Sequence, residues 1–120
     1  MTKIATCCIH CEYDKATNLK KYMEYIDEAA SNGANLVVFP EQSLQAYLTD
    51  LGAMPLSDYT YQHDNAEVVP DGDSTQALIK KAKEKNVYII YPRSRILIPS
   101  LTLMNARIFS RCSASCVCLL

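Results

Sequence analysis

Glycine is scarce in this sequence: three residues in 120, Gly33, Gly52 and Gly72. That scarcity excludes glycine-rich phosphate cradles and the strained nucleophile elbow, and none of G-x-G-x-x-G, a phosphate loop or G-x-S-x-G occurs. Net charge is also small, −1, which removes any electrostatic case for nucleic acid or an anionic membrane as partner. No apolar run approaches the length of a membrane span. After Met1-Thr2-Lys3 a short apolar stretch runs directly into His10, Glu12 and Asp14, a poor match to a secretory leader. A cytoplasmic chain is the resulting expectation, with its six cysteines as reduced thiols.

A second set of absences divides the chain. After residue 91 there is no lysine, no acid and no glycine, whereas all four arginines (Arg93, Arg95, Arg107, Arg111) lie there. This is not ordinary globular composition, yet it is too apolar for a disordered tail. The expected organisation is a partial domain over 1–91 and an atypical tail over 92–120. The tail reads as a reading-frame change, an unspliced segment or a truncation scar, with a genuine divergent tail as the alternative.

What is present before residue 91 is strongly patterned. Half of all residues are hydrophobic (49%), enough to bury a core. Lys3 to Ile9 reads as a strand buried on both faces. From about Ala16 to Asn32 apolar residues recur at three- and four-residue spacing, which predicts an amphipathic helix. Asp14 or Thr17 is placed to cap its start, and Gly33 suits the left-handed position past its end. Asn35 to Phe39 is a second strand, most simply parallel to the first. A short helical stretch is expected from Gln42 to Leu48, then a long loop from Thr49 to Gly72 of the kind that serves as lid or binding segment. Asp73 or Ser74 then caps a helix from Thr75 to Lys85, and Val87 to Tyr91 is a third strand. The order β-α-β-loop-α-β specifies an α/β fold.

The most informative residues are Leu36 to Glu41, LVVFPE. A buried strand is stopped by proline, and a carboxylate follows at once. Open α/β sheets gather their chemistry at such strand ends, so Glu41 is the candidate general base, although a solvated loop residue is the commoner occupant of such a position. It needs a nucleophile and a charge stabiliser. Cys8-Ile9-His10-Cys11 has the C-x-x-C form, but it straddles a strand end rather than opening a helix, and Cys7 and Cys8 read as packed side chains. Cys112, Cys116 and Cys118 match no common zinc spacing. A prenylation box fails because Val117 occupies the fourth position from the end. His10 and His63 are isolated, and Tyr47, Tyr59 and Tyr61 read as packing groups.

Taken together these stretches resemble the nitrilase (carbon–nitrogen hydrolase) superfamily. The resemblance rests on Ile4 to Cys7 with Asp14 and Asn18, on Ala29 to Asn35, on Leu36 to Tyr47, on Val69-Pro70 with Gly72, and on the final helix and strand, in family order over residues 3–91. It implies the amino-terminal part of an α-β-β-α sandwich. It implies hydrolysis of non-peptide carbon–nitrogen bonds in amide, nitrile or carbamoyl compounds by a Glu-Lys-Cys triad, with no metal or cofactor. It also allows a homo-oligomer. By resemblance Glu41 is the triad's base. Three departures matter: Ala46 stands where glycine is frequent, Pro92 follows the third strand where glycine is usual, and the lysine and cysteine motifs find no match here. No lysine follows Lys85, and neither role passes to any residue of this chain. The chain alone is therefore expected to be inactive. The alternatives are a non-catalytic fragment that associates with a full-length relative or aggregates, and a thiol–metal module.

Overall fold

The computed structural model describes residues 1–46 and 64–92 with side chains and residues 116–119 as backbone. Its elements are β1 (Ile4–Thr6), α1 (Lys15–Ser31), β2 (Leu36–Val38), α2 (Asp73–Lys85), β3 (Tyr88–Pro92) and β4 (Cys116–Leu119). They build one sheet in the order β1-β2-β3-β4. β1, β2 and β3 are parallel, with Ile4 opposite Leu36 and Leu36 opposite Tyr88. β4 runs antiparallel to β3, pairing Pro92 with Cys116 and Ile89 with Leu119.

The long first helix follows from its ends. Asp14 has extended backbone, and its carboxylate accepts the Thr17 N–H at 2.9 Å, satisfying one of the donors that a helix start leaves open. At the other end Gly33 adopts φ +80°, donates to Ala30 O, and lets Ala34 donate to Ala29 O. That pair of reversed bonds is the Schellman closure, and its left-handed residue favours glycine. α2 ends comparably at Asn86, φ +53°, a residue type that tolerates the left-handed region.

Tyr22, Ile26 and Ala29 of α1 and Leu78 and Ala82 of α2 pack on Val37, Ile89 and Tyr91 of the sheet. Asp27 ties the helices together, with Lys81 Nζ at 2.7 Å and Lys85 Nζ at 2.9 Å. Because side chains alternate along a strand, the same pairing sends Ile4, Leu36 and Tyr88 to the opposite face. There Ile4 is 57% and Tyr88 48% exposed. The architecture is one α-β half of the α-β-β-α sandwich, in agreement with the expected α/β class. No helix among the described residues is long and apolar enough to cross a membrane.

Several sequence expectations need correction. β1 is three residues long rather than seven, and among the described residues it is an edge strand, half exposed rather than buried on both faces. Residues 41–45 form successive turns instead of the expected helix from Gln42, because Gln42 itself has φ +53° and breaks the helical path. α2 begins at Asp73, so neither Asp73 nor Ser74 is its cap; the cap position is Gly72, which has no side chain to offer. β4 adds a strand that the sequence patterning does not predict. The expected loop lies outside the described residues up to 63, and residues 64–65 within it are helical.

Candidate active site

Strand β2 is carried to its end by packing, and the turn that follows is fixed by hydrogen bonds. Phe39 N–H donates to Ile90 O at 2.9 Å and Gln42 N–H to Pro92 O at 2.9 Å, so the segment Phe39 to Gln42 is anchored to β3 on both sides of Glu41. Cys7 N–H donates to Val38 O at 2.8 Å from β1. The carboxyl ends of all three parallel strands therefore converge around this turn, as ligand sites in such sheets require. Glu41 stands exposed at its tip.

Beneath the tip lies an aromatic floor. Tyr22 stacks on Phe39 with ring centroids 3.7 Å apart, and Tyr91 meets Tyr22 edge-on at 6.4 Å. Ser43 Oγ donates its single proton to Pro40 O at 2.7 Å. Tyr22 must then be the donor in its 2.5 Å bond to Ser43 Oγ. The chain Tyr22, Ser43, Pro40 ends on the carbonyl adjoining Glu41. Burial pushes the Tyr22 hydroxyl well above its ordinary value, so it remains a donor throughout the neutral range.

Asn18 clamps the turn from the other side. It is wholly buried; its amide donates to Glu12 O at 2.7 Å and Leu44 O at 3.1 Å, and its carbonyl accepts from Glu12 N at 2.8 Å. Beyond it Gln45 Nε2 donates to Asn65 O at 2.9 Å. Ala46 ends the turn with φ +68° and is almost fully buried. This backbone is left-handed, which explains why glycine suits the position. Ala46→Gly is accordingly expected to leave stability within about 1 kcal/mol of the parent, the relief of strain offsetting the lost methyl and added chain entropy. Ala46→Val, β-branched at positive φ, is expected to cost about 2 kcal/mol. Urea titrations of the two variants check the order.

A second buried network adjoins the first. Tyr91 Oη donates to Thr75 Oγ1 at 3.0 Å, and Thr75 faces Glu67. Glu67 lies at the start of α2, where its carboxylate accepts from Ser74 N at 3.3 Å and Thr75 N at 3.4 Å and pairs with Lys15 Nζ at 2.8 Å. Burial alone raises its pKa, but the hydrogen bonds from Lys15 and Ser74 and the Lys15 charge prevail and lower it to about 2. Gly72 is needed at the cap because a Cβ there would overlap the Glu67 carboxylate. Glu67 leaves only a faint signal in the sequence, an acid shortly upstream of a helix whose own cap position is glycine.

The other candidates do not gather at Glu41. Among the described residues no hydrogen bond or ion pair engages its carboxylate. Cys7 is half-buried, and burial together with the Glu28 charge raises its thiol pKa. Cys11 is raised by burial and by Glu12 against the opposing pull of Lys21. Both are thiols at neutral pH, the opposite of an activated nucleophile. Cys8 is exposed, and His10 lies 3.7 Å from Glu12 at the surface. Among the described residues no group of three or more His, Cys, Asp or Glu is placed to hold a metal. His63 and Cys112 lie outside the described residues, as do Tyr47, Tyr59 and Tyr61. Two shallow cavities, about 330 and 280 Å3, lie along α1 and the β1 edge, and Glu41 lines neither.

Comparison with known proteins bears on the same stretch. The family model for carbon–nitrogen hydrolase matches residues 3–108. The omega-amidase NIT2 of Mus musculus is 40% identical over 76 residues, covering 63% of this chain and 24% of that protein. The omega-amidase NIT2-A of Xenopus laevis is 37% identical over 76 residues with the same coverage. The chain thus spans about a quarter of the length of these curated relatives. With the family match extending over most of its length and the parallel strand ends in place around the LVVFPE turn, the chain belongs to the carbon–nitrogen hydrolase family.

Proposed function

We propose that this chain supplies the general-base portion of a carbon–nitrogen hydrolase acting on amide, nitrile or carbamoyl substrates, with Glu41 as the base. The observation that carries this reading is the anchoring of Glu41 at the common end of three parallel strands, held from β3 on both sides. In such a reaction a glutamate takes the proton of a cysteine nucleophile, passes it to the leaving nitrogen and then activates water, while a lysine offsets the developing negative charge. Omega-amides are the first substrates to try, because both matched relatives are named omega-amidases.

The nucleophile and the cation have to be brought to Glu41. Cys7 and Cys11 are protonated, and Lys15 is held by Glu67 while Lys81 and Lys85 are held by Asp27. Residues 92–120 contribute no lysine. The 120-residue chain by itself is therefore expected to release no ammonia from primary amides above the uncatalysed rate, since loss of a nucleophile removes on the order of 10^6 in kcat in comparable triads. Ammonia release that falls on Glu41→Gln substitution would overturn the inactivity of the isolated chain. A second reading, a non-catalytic fragment that joins a full-length relative, is favoured by the apolar sheet face carrying Ile4 and Tyr88. Co-purification with such a relative, and its loss on Tyr88→Glu substitution, distinguishes the two.

A further inference from the structure

The turn that carries Glu41 is weakly closed by its own backbone. Pro40 to Ser43 closes through one backbone bond, Ser43 N–H to Pro40 O, and at 3.4 Å that bond is long. Gln42, the third residue of the turn, has φ +53°, a conformation that glycine or asparagine ordinarily supplies at this place. Glu41 is the second residue and stands exposed. A side chain supplements the closure: Ser43 Oγ donates to the same Pro40 carbonyl at 2.7 Å. Ser43 is 1% exposed, which keeps bulk water from the bond. Tyr22, wholly buried, donates in turn to Ser43 Oγ at 2.5 Å. Its ring is held in place, parallel to Phe39 and edge-on to Tyr91. Hydrogen bonds in series polarise one another, so the phenol strengthens the bond that serine makes to Pro40 O.

We propose that Tyr22 and Ser43 are positioning residues for Glu41, an inference that rests on the reading of Glu41 as the base. The packed core fixes the phenol, the phenol fixes the serine hydroxyl, and the hydroxyl fixes the peptide group that joins Pro40 to Glu41. A general base must stand within hydrogen-bond reach of the proton that it takes, and a displacement of about 1 Å costs on the order of 10^2 in rate. Glu41 receives its placement from the backbone beneath it, through this chain and through the Phe39 and Gln42 bonds to β3. Tyr22 moves no proton in the reaction. It acts on Glu41 only through Ser43.

Amide resonances of the isotope-labelled chain test this without turnover. The Glu41 amide shares a peptide group with the Pro40 carbonyl, so its nitrogen resonance senses what that carbonyl accepts. Tyr22→Phe keeps the ring stack and removes only the hydroxyl. It is expected to shift the Glu41 nitrogen resonance and to speed exchange of the Gln42 amide about fivefold, the loss of one ordinary hydrogen bond. Ser43→Ala is expected to shift Glu41 further in the same direction. The shifts are expected not to add: the double variant matches Ser43→Ala alone, because the phenol reaches Glu41 only through the serine. Ile26 and Ile89 amides are expected to keep their exchange rates. A tyrosine that served packing alone would leave the Glu41 resonance in place, and Tyr22→Phe, the milder variant, carries the test on its own. An unmoved Glu41 resonance in Tyr22→Phe, additive shifts, or equal acceleration at Ile26 and Ile89 overturns the proposal. No turnover enters these measurements, so their failure is distinct from failure of the base reading, which ammonia release decides.

Discussion

Replacing Glu67 by alanine is expected to destabilise the chain by about 3 kcal/mol, the effect of leaving a charged partner and helix-end donors without their acceptor. The residue is nearly buried, and it serves Lys15, Ser74 and Thr75 together. No nearer side chain replaces it, because the cap position of α2 is Gly72. The acid response gives an independent readout. A carboxyl whose folded-state pKa is depressed stabilises the fold above its unfolded pKa, about 4.3, and loses that contribution as pH falls through the folded value. With Glu67 lowered to about 2, stability should decline from roughly pH 4.5 down to about pH 2. Glu67→Gln should be less stable at neutral pH and should flatten this acid limb. A residual slope will persist, since hydrogen bonds from Lys21, Thr17 and Lys81 also lower Glu12, Asp14 and Asp27. Urea midpoints measured from neutral to acid pH test both parts; an acid limb of unchanged steepness in Glu67→Gln would show that other groups govern it.

The second large effect is expected at Asn18. Asn18→Leu keeps the branched heavy-atom skeleton but strands Glu12 N–H, Glu12 O and Leu44 O, for a cost of about 3 kcal/mol. Asn18→Asp should be as harmful, since a carboxylate accepts from Glu12 N–H but donates to neither carbonyl and carries a buried charge. The damage should be local before it is global. Amide exchange at Ser43, Leu44 and Gln45 should accelerate in both variants, while Ile26 and Ile89 in the core keep their protection. Equal acceleration at all of these sites would mean that Asn18 supports the whole domain rather than the turn that bears Glu41.

Asn18 and Glu67 also mark the limit of what sequence reveals. The helices and parallel strands were legible because their signals are local: three- and four-residue spacing along α1, a left-handed glycine at 33, and unbroken apolar runs in β2 and β3. The strand-end position of Glu41 was legible for the same reason. Asn18 could be seen as part of a resemblance, but its bond to Leu44 joins residues 26 apart, and no spacing rule predicts it. Glu67 caps a helix from outside the helix, which local capping patterns do not describe. The turn after Glu41 was misread as helical because Gln42 and Ala46 carry no glycine-like signature of their left-handed backbone. β1 looked doubly buried from its apolar residues, but such burial needs a layer packed on each face of the sheet, and composition cannot supply that layer.

The stacked pair of Tyr22 and Phe39 has an optical consequence. The sequence has no tryptophan, so tyrosine dominates the near-ultraviolet signal. Of the described tyrosines only Tyr22 and Tyr91 are fully buried, one ring parallel to Phe39 and the two nearly perpendicular to each other. Rings fixed in this way give circular dichroism in the near ultraviolet, and freely turning ones do not. The floor under Glu41 thus carries its own chromophores, and its order can be followed in solution without any label.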